Sequence, residues 1–300
     1  MTTNPVDPTD EGSHEAGTER LWSESWYFDF FQADGSLGGW VRIGLCHNLG
    51  VAWYHAYVVG NGCPILAVQD LEVPLPKPGS LEVRTHGLWA DHTCETPLEH
   101  FTIAAETHAL SIEDPVALYE REPRGDQVPL GLDLEFETDG SPHHYLYTTR
   151  YEIPCRVHGE VLIGDERIAL DGWGQRDHSW GERDWWKFGW VWCSGRLEDG
   201  TRFHGSDIRI PNIDLGFGYV QPGEQTNSVN ADEQLGPEGF PTAATITIGD
   251  FDVLMEPIAF APALLTLDDM VDRFPRALCR VETPDGRKGF CWTEWNQPQL

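Results

Sequence analysis

Basic residues are scarce in this sequence. Its 300 residues include 20 Lys and Arg against 49 Asp and Glu, which gives a formal net charge of −29 at neutral pH. A surface this acidic repels phosphate backbones and anionic lipid headgroups. We therefore expect no nucleic-acid partner and no stable insertion into a membrane, and we expect uncharged or cationic ligands in preference to polyanions.

Long apolar runs and paired cysteines are also missing. No segment approaches the ~20 consecutive apolar residues that a membrane-spanning helix needs. The first 20 residues lack the basic start and apolar centre of a secretion signal. The seven cysteines are odd in number and include no Cys-x-x-Cys pair, so neither a disulfide framework nor a zinc ribbon is indicated. These features favour a reducing, cytoplasmic location.

The sequence carries no recognisable cofactor motif. It contains no phosphate-binding loop, Gly-x-Ser-x-Gly elbow or dinucleotide fingerprint. Its 12 histidines form no His-x-His or His-x-x-x-His pair with a suitably spaced acid. We therefore expect neither a cofactor nor a metal ion. The enzyme classes that remain depend on acids, bases and the shape of a cavity. The first candidates among their reactions are hydration, dehydration, isomerisation and cyclisation.

The two-residue period of β-structure is abundant instead. Leu132, Leu134 and Phe136 alternate with acidic residues, and residues 145–153 repeat the alternation with tyrosines. Residues 263–273 are the one convincing helix candidate. The sequence therefore predicts a mostly β protein with one or two short helices. Four dipeptides predict hairpin turns, namely Asn61-Gly62, Gly164-Asp165, Asp199-Gly200 and Asp285-Gly286.

Turn-rich segments indicate a division near the middle of the chain. The polar segment 120–129 and the cluster at 139–142 have strand patterns on both sides. We expect a disordered acidic tail at 1–20, an N-terminal β-domain at 21–145 and a C-terminal β-domain at 146–300. The sequence leaves open whether the protein forms a homodimer.

The segment 171–192 concentrates the unusual chemistry of the chain. It holds six of the 13 tryptophans, together with four carboxylates, two arginines and one histidine. Charged groups beside large aromatic rings cost desolvation unless each finds a partner. A carboxylate and an imidazole between indoles can form an acid–base site with shifted pKa values. The alternative is a structural network of arginine–carboxylate pairs around a tryptophan core.

Asp177 and His178 are the candidate catalytic pair of this segment. Neighbours on a strand point to opposite faces, so they can act together only if the chain bends there. Burial beside an indole favours the protonated form of Asp177, which would then serve as a general acid. Alternatively, Asp177 forms an ion pair with Arg176 or Arg183 and has no chemical role.

An aromatic face follows this pair. Residues 186–192 place an aromatic side chain at every second position, ending with Trp190 and Trp192. Such a face either lines a cavity, where its π-faces stabilise a developing cation, or forms ordinary core. Further along, Asp207 is either a second pocket carboxylate or the partner of Arg209.

The run Gly172-Trp-Gly-Gln-Arg-Asp-His-Ser-Trp-Gly-Glu-Arg-Asp-Trp185 resembles a segment of a known family. Its pattern Gly-x-x-x-x-Asp-x-x-Trp-Gly is similar to that of the AttH-like proteins, which include carotenoid 1,2-hydratase, fungal hydratases and Diels–Alder cyclases. The Arg-Asp-His-Ser-Trp-Gly run looks closest to an actinobacterial branch. The resemblance implies two lipocalin-like antiparallel β-barrel or sandwich domains with a ligand pocket. It also implies an acid that protonates an isoprenoid alkene, here Asp177, with His178 and Trp180 beside it.

Two functional hypotheses follow. The first is a cofactor-independent lyase or isomerase, of the hydratase, dehydratase or cyclase type, acting on a hydrophobic isoprenoid- or steroid-like molecule. The second is a non-catalytic carrier of lipophilic small molecules. A structural or interaction protein has no repeat or coiled coil to support it. The candidate catalytic residues are Asp177 and His178, and the candidate substrate-binding residues are Trp173, Trp180, Arg183, Trp190, Trp192 and Asp207.

Overall fold

The computed structural model describes residues 6–60, 62–223 and 225–298. Within these ranges the chain forms 22 strands, and its helical structure is limited to four short 3₁₀ segments. The prediction of a mostly β protein is confirmed. Among the same residues, no helix is both long and apolar enough to cross a membrane. The 3₁₀ segments are Pro8–Glu11, His47–Leu49, Pro115–Tyr119 and Pro237–Gly239.

The first half of the fold is a closed antiparallel barrel. Its strands are β1 (Trp22–Gln32), β2 (Leu37–Cys46), β3 (Val51–Gly60), β4 (Ile65–Pro74), β5 (Val83–Thr85), β6 (Leu88–Thr96), β7 (His100–Ile112), β8 (Asp126–Thr138), β9 (His143–His144), β10 (Arg150–Ile163) and β11 (Glu166–Glu182). They follow the order β4-β3-β2-β1-β11-β10-β8-β7-β6-β5, with β9 beside β10. Strand β7 also pairs with β4, where Ile112 lies opposite Ile65, and this pairing closes the sheet on itself.

The second half is a curled antiparallel sheet. Its strands are β12 (Gly189–Leu197), β13 (Arg202–Ile210), β14 (Ile213–Gln221), β15 (Gln225–Thr226), β16 (Val229–Leu235), β17 (Pro241–Ile248), β18 (Phe251–Phe260), β19 (Ala263–Leu267), β20 (Met270–Phe274), β21 (Arg276–Glu282) and β22 (Lys288–Pro298). They follow the order β15-β14-β13-β12-β22-β21-β18-β17-β16, and β20 joins β19 to β22. Side-chain bonds from Arg209 to Glu233 and from the Ala231 amide to Asp207 hold β16 against β13.

An aromatic layer joins the two halves. Successive side chains of a strand point to opposite faces, so Phe28 lies in the core of the first barrel while Tyr27 and Phe31 face the second sheet. The Trp292 indole of β22 donates a 2.8 Å hydrogen bond to the carbonyl of Phe30 across this layer. Both faces of β1 are therefore covered, and the site described below lies within the layer.

The halves divide later in the chain than the sequence predicted. Strand β11 belongs to the first barrel, because it pairs with β1 from Gly172 opposite Gln32 to Glu182 opposite Trp22. The second sheet begins only at Gly189. The division lies at residues 183–188, whereas the local turn signals pointed to 145/146. The segment 171–192 is therefore the connection between the halves.

The predicted disorder of residues 1–20 is wrong for residues 6–20, which pack against the first barrel. Val6 is buried in the barrel core. Glu11 is also buried, and its carboxylate accepts hydrogen bonds from both terminal nitrogens of Arg176, at 2.6 and 2.9 Å. The buried ion pair between Glu11 and Arg176 holds residues 6–20 against the barrel. The acidic composition of the segment does not indicate such a pair. Residues 1–5 lie outside the described ranges.

Three of the predicted hairpin turns are confirmed. Gly164, Gly200 and Gly286 each have a positive φ, at 59°, 91° and 87°, and each lies between two strands that pair with one another. A left-handed backbone is accessible to glycine without steric cost. The fourth turn includes Asn61, which lies outside the described residues, although β3 and β4 on either side of it do pair.

The helix predicted at 263–273 is wrong, because this segment forms the β19–β20 hairpin. Its leucines are buried in succession, Leu264 and Leu265 both being at most 6% exposed. In a short run of apolar residues that is buried on both faces, the hydrophobic pattern has no period, so the pattern alone cannot distinguish a strand from a helix. The strand predicted at 145–153 is right only from Arg150 onwards, since residues 146–149 form a bend.

Candidate active site

A cavity of about 330 Å³ lies between the two halves. This volume is typical of sites for small molecules. Its lining includes Asp177 together with several arginines, and it also includes aromatic and aliphatic side chains. The polar residues that matter below are Tyr27, Arg42, Arg150, Asp177, Arg276 and Glu294, and the aromatic ones are Trp185, Phe188, Trp190, Trp192 and Phe217.

A row of polar side chains crosses four strands of the first barrel at the cavity. On β10, Glu152 lies opposite Asp177 of β11. Asp177 in turn lies opposite Tyr27 of β1, and Tyr27 lies opposite Arg42 of β2. Residues that are directly paired in an antiparallel sheet share one face. The pairing of four strands that are distant in sequence therefore places all four side chains on the face of the second sheet.

Asp177 is buried at the wall of the cavity. Its side chain is 6% exposed, and its Oδ2 atom accepts a 2.8 Å hydrogen bond from Nη2 of Arg150. Burial raises the pKa of Asp177 to about 6, because the charged form loses hydration. Arg150 opposes the rise and Glu152 adds to it. A carboxyl group with this pKa can exchange a proton with a bound molecule near neutral pH.

Glu152 is a fully buried anchor behind this wall. Its carboxylate accepts hydrogen bonds from Arg150 Nε and Gln175 Nε2, both at 2.8 Å, and from the Trp192 indole at 3.0 Å. Arg150 therefore binds Glu152 and Asp177 together, and the hydrogen bond to Glu152 fixes the Trp192 ring, which lines the cavity. Glu152 orients these groups and does not itself line the cavity.

Tyr145 adds a hydroxyl group to the cavity wall. Its oxygen lies 2.7 Å from Nε2 of His204, and Nδ1 of His204 lies 2.8 Å from the carbonyl of Cys193. A carbonyl only accepts, so Nδ1 carries the proton and Nε2 of a neutral ring accepts from the tyrosine. Burial lowers the pKa of His204 to about 3, with Arg150 contributing, so this ring stays neutral.

Four of the eight residues predicted from the sequence line the cavity. They are Asp177, Arg183, Trp190 and Trp192. Arg183 donates a 3.3 Å hydrogen bond to the carbonyl of Thr149, and burial lowers its pKa to about 10. The Trp190 indole donates a 2.6 Å hydrogen bond to Glu294.

His178 and Trp180 do not line the cavity, which corrects their predicted roles. The chain does not bend at Asp177, so both side chains point from β11 to the interior of the first barrel. The His178 ring stacks on Trp26 with centroids 4.2 Å apart, and Trp180 stacks on His14 at 3.8 Å. His178 is therefore not placed to exchange a proton with Asp177.

Trp173 and Asp207 also lie outside the cavity. The Trp173 ring lies 3.5 Å from the guanidinium carbon of Arg196 in a cation–π contact. Asp207 accepts a 3.2 Å hydrogen bond from the amide of Ala231 on β16. On β13 it is the neighbours of Asp207 that reach the cavity. Neither side chain is therefore placed to contact a molecule bound in this cavity.

The predicted ion pairs of Asp177 are wrong as well. Arg176 binds Glu11 on the other face of the sheet, and the ion-pair partner of Asp177 is Arg150. Sequence reasoning did not identify Arg150, Glu152 or Arg42. Arg150 and Glu152 alternate with the apolar residues of β10. Charged residues in a strand that is buried on both faces are unusual, and this signal in the sequence could have identified both residues.

Among the residues that the structure describes, one group of side chains is close enough to hold a metal ion, and it lies away from the cavity. Ligand atoms of His14, Glu24 and His178 all fall within 4.8 Å of one another. Glu24 Oε1 lies 2.7 Å from Nδ1 of His14 and 3.0 Å from Nε2 of His178, whose Nδ1 faces the carbonyl of Asp10 at 2.6 Å. These contacts fasten residues 6–20 to the first barrel.

Comparison with known proteins identifies a family. The model described as "Domain of unknown function (DUF7064)" matches residues 7–299. A search of curated proteins finds no match.

Solved structures with the same fold include three AttH-like proteins. An AttH protein (NE1406) from Nitrosomonas europaea is 13% identical, with a TM-score of 0.67 over 99% of this chain and 98% of that chain. Kievitone hydratase from Nectria haematococca is 11% identical, with a TM-score of 0.58 over 92% and 89%. CghA is 9% identical, with a TM-score of 0.56 over 92% and 88%. The chain therefore belongs to the DUF7064 family and has the two-domain, lipocalin-like β fold of the AttH-like proteins.

Proposed function

We propose that this protein is a cofactor-independent acid–base enzyme, of the hydratase, dehydratase, isomerase or cyclase type, acting on a hydrophobic small molecule. The observation that carries the proposal is the position of Asp177. Its carboxyl group lies at the wall of a cavity that aromatic side chains also line, and Arg150 donates a hydrogen bond that orients it. A kievitone hydratase shares the fold, which supports this reaction class.

Asp177 acts on a carbon–carbon double bond of the substrate. The protonated carboxyl group gives its proton to one carbon, and the π-faces of Trp190 and Trp192 stabilise the positive charge that develops on the other. In hydration, the oxygen of a water molecule then bonds to the cationic carbon and its proton returns to the Asp177 carboxylate. In isomerisation, the carboxylate instead removes a proton from a neighbouring carbon.

The cavity wall supports a hydrophobic substrate of isoprenoid- or steroid-like shape. Trp185, Phe188 and Phe217 offer flat apolar surfaces, and Ile208 and Leu215 extend them. Burial of such surfaces contributes about 25 cal/mol per Å² of apolar area removed from water. All seven cysteines are free, which supports the cytoplasm as the place of action.

Incorporation of solvent isotopes tests the proposal even while the exact substrate is unidentified. Isoprenoid alkenes and steroid enones are incubated with the protein in deuterium oxide, or in water labelled with ¹⁸O, and the products are weighed by mass spectrometry. We expect label in at least one compound with the natural protein and none with Asp177→Asn. Label that is equal in both proteins contradicts the role of Asp177. Tight binding without label in either protein would indicate a carrier.

A further inference from the structure

A buried carboxylate of strand β1 has no arginine or lysine partner among the residues that the structure describes. Glu24 has no exposed side-chain surface, and its ion-pair partners within the described ranges are two histidines, His14 and His178. Both oxygens of Glu24 also accept hydrogen bonds from the amide of His14, at 3.0 and 3.1 Å. Buried charges in proteins are paired or coordinate metal ions. We therefore expect the positive charge opposite Glu24 to come from the two rings or from an ion between them.

A backbone carbonyl sets the orientation of the His178 ring. Its Nδ1 atom lies 2.6 Å from the carbonyl oxygen of Asp10, and a carbonyl only accepts, so Nδ1 carries a proton. The other nitrogen, Nε2, lies 3.0 Å from Oε1 of Glu24. In a neutral ring Nε2 has a lone pair, which would face a carboxylate oxygen that also only accepts. A proton or a cation is therefore needed between these two atoms.

The His14 ring has the same conflict, because a carboxylate lies on each side of it. Its Nδ1 atom lies 2.7 Å from Oε1 of Glu24, and its Nε2 atom lies 3.4 Å from Oδ1 of Asp10. A neutral imidazole has one N–H group, so one of the two contacts lacks a hydrogen. With protons alone, both histidine rings would have to be positively charged, although their centres are 5.6 Å apart and His178 is fully buried. Burial disfavours a charged ring, and like charges repel.

One divalent cation satisfies all of these contacts while both rings stay neutral. His14, Glu24 and His178 each offer a ligand atom, and these three atoms lie within 4.8 Å of one another. The proton of each ring then stays on the far nitrogen, where both rings face oxygens of Asp10. Histidines that bind metal ions usually donate their second N–H group to a carboxylate or a carbonyl. The cluster therefore has the outer hydrogen bonds of a metal site as well as its ligands.

The spacing of the ligand atoms requires only a small adjustment. Zinc binds histidine nitrogen and carboxylate oxygen at about 2.0–2.2 Å, and a tetrahedral angle separates two such ligands by about 3.3 Å. The distances from Oε1 of Glu24 to the two nitrogens are shorter than this by a few tenths of an ångström. His14 has room to move, because its side chain is 25% exposed and belongs to the N-terminal segment 6–20. An ion is enclosed when this segment closes onto the barrel, so it does not have to cross a closed wall.

We propose that His14, Glu24 and His178 bind a Zn²⁺ ion, which fastens the N-terminal segment to strands β1 and β11. Two imidazoles and one carboxylate are a known ligand set of Zn²⁺, with water in the fourth position. The sequence predicted no metal ion because the three ligands are far apart in the chain, and the pairing of β1 with β11 is what brings Glu24 to His178. His178 points away from the cavity, so this inference goes beyond the proposed reaction and does not depend on it.

Metal binding by the full-length protein tests the inference. The protein is dialysed against EDTA and then against a series of ZnCl₂ concentrations, and bound zinc is measured by elemental mass spectrometry. We expect about one tightly bound zinc ion per chain. His14→Gln removes a ligand from the partly exposed side of the site and should weaken binding at least about tenfold. His100→Gln is the matched control, because it removes a partly exposed histidine that is paired with Glu135, and it should keep the affinity.

Thermal melting separates a metal site from a purely structural cluster. Zn²⁺ should raise the melting temperature of the natural protein and of His100→Gln, since a ligand that binds only the folded state stabilises it. It should not raise that of His14→Gln. Mg²⁺, which prefers oxygen ligands, controls for general screening of the net charge of −29 and should stabilise less than Zn²⁺. A cluster that works without an ion predicts that Zn²⁺ changes neither protein.

Hydrogen exchange locates the effect in the N-terminal segment. With Zn²⁺, the amides of residues 6–20 should exchange more slowly in the natural protein and not in His14→Gln. No bound zinc, equal zinc affinity in these two proteins, or equal stabilisation by Mg²⁺ would overturn the inference. Isotope incorporation should be the same with EDTA and with Zn²⁺, because Asp177 lies on the opposite face of β11. A failure of zinc binding would therefore leave the proposed reaction standing.

Discussion

Asp177 and Glu152 lie opposite each other on neighbouring strands, and the guanidinium group of Arg150 binds both carboxylates. Their surroundings differ. Glu152 is enclosed by donors from Arg150, Gln175 and Trp192, whereas Asp177 faces the cavity. One carboxylate therefore orients the site, and the other is available for proton exchange with a bound molecule.

The pH dependence of turnover should reflect Asp177. Its pKa is raised to about 6, and a general acid acts in its protonated form, so kcat/KM should fall as the pH rises through about 6. Arg150 lowers this pKa, so Arg150→Gln should move the fall upward by about one pH unit or more. A pH–rate profile of both proteins, on a substrate from the isotope screen, checks this. An unchanged profile in the variant would show that another group titrates.

Glu11 should be essential for stability although it lies in the N-terminal segment. Glu11→Ala leaves Arg176 buried without its partner, and breaking such a pair costs about 3–5 kcal/mol. Denaturant unfolding measures this loss. The exposed Glu15 offers a control from the same segment, because Glu15→Ala should leave the free energy of unfolding unchanged. Equal stability of the two variants would mean that the segment is not held by this pair.

Two tryptophans of the same segment should respond differently to truncation. Trp190→Ala removes part of the cavity wall, so ligand affinity should fall about tenfold or more, as expected for the loss of a large apolar contact. Trp180→Ala acts inside the first barrel, where the ring stacks on His14, so it should lower stability and leave affinity unchanged. Calorimetric titration and thermal melting of both variants separate these effects. Loss of affinity in Trp180→Ala alone would reverse the assignment.

His178 should be a structural residue in spite of its position next to Asp177. Its ring lies between Glu24 and the carbonyl of Asp10 and stacks on Trp26. His178→Gln should therefore lower the melting temperature while kcat/KM of the folded protein is retained. Steady-state kinetics below the melting transition provide the measurement. A loss of about a hundredfold or more, the range of a general acid–base partner, would restore His178 to the catalytic pair.

The fold class and one side of the site could be predicted from local patterns. Alternation at Leu132, Leu134 and Phe136 indicated β-structure, and these side chains do lie in the first barrel core. Asp177 was found because a carboxylate among tryptophans is unusual at the level of sequence alone. The opposite faces of Asp177 and His178 also follow from strand geometry, and the structure shows that no bend overrides it.

The remaining site residues depend on long-range pairing. Arg42, Tyr27, Asp177 and Glu152 come together because β2, β1, β11 and β10 are neighbours in the sheet, and β1 and β11 are separated by most of the first barrel in sequence. No local signal specifies this order. The same pairing explains why the division between the halves lies at 183–188 and not at 145/146, because the long strand β11 belongs to the first barrel.

The most direct test of the account is a comparison of turnover and ligand affinity between the natural protein and Asp177→Asn. Asparagine keeps the shape of the side chain and removes the proton that the reaction needs. The account predicts that kcat falls by about 10²–10⁴-fold, the usual contribution of a general acid, while the affinity for the hydrophobic substrate is retained. Turnover that persists in Asp177→Asn would contradict the account.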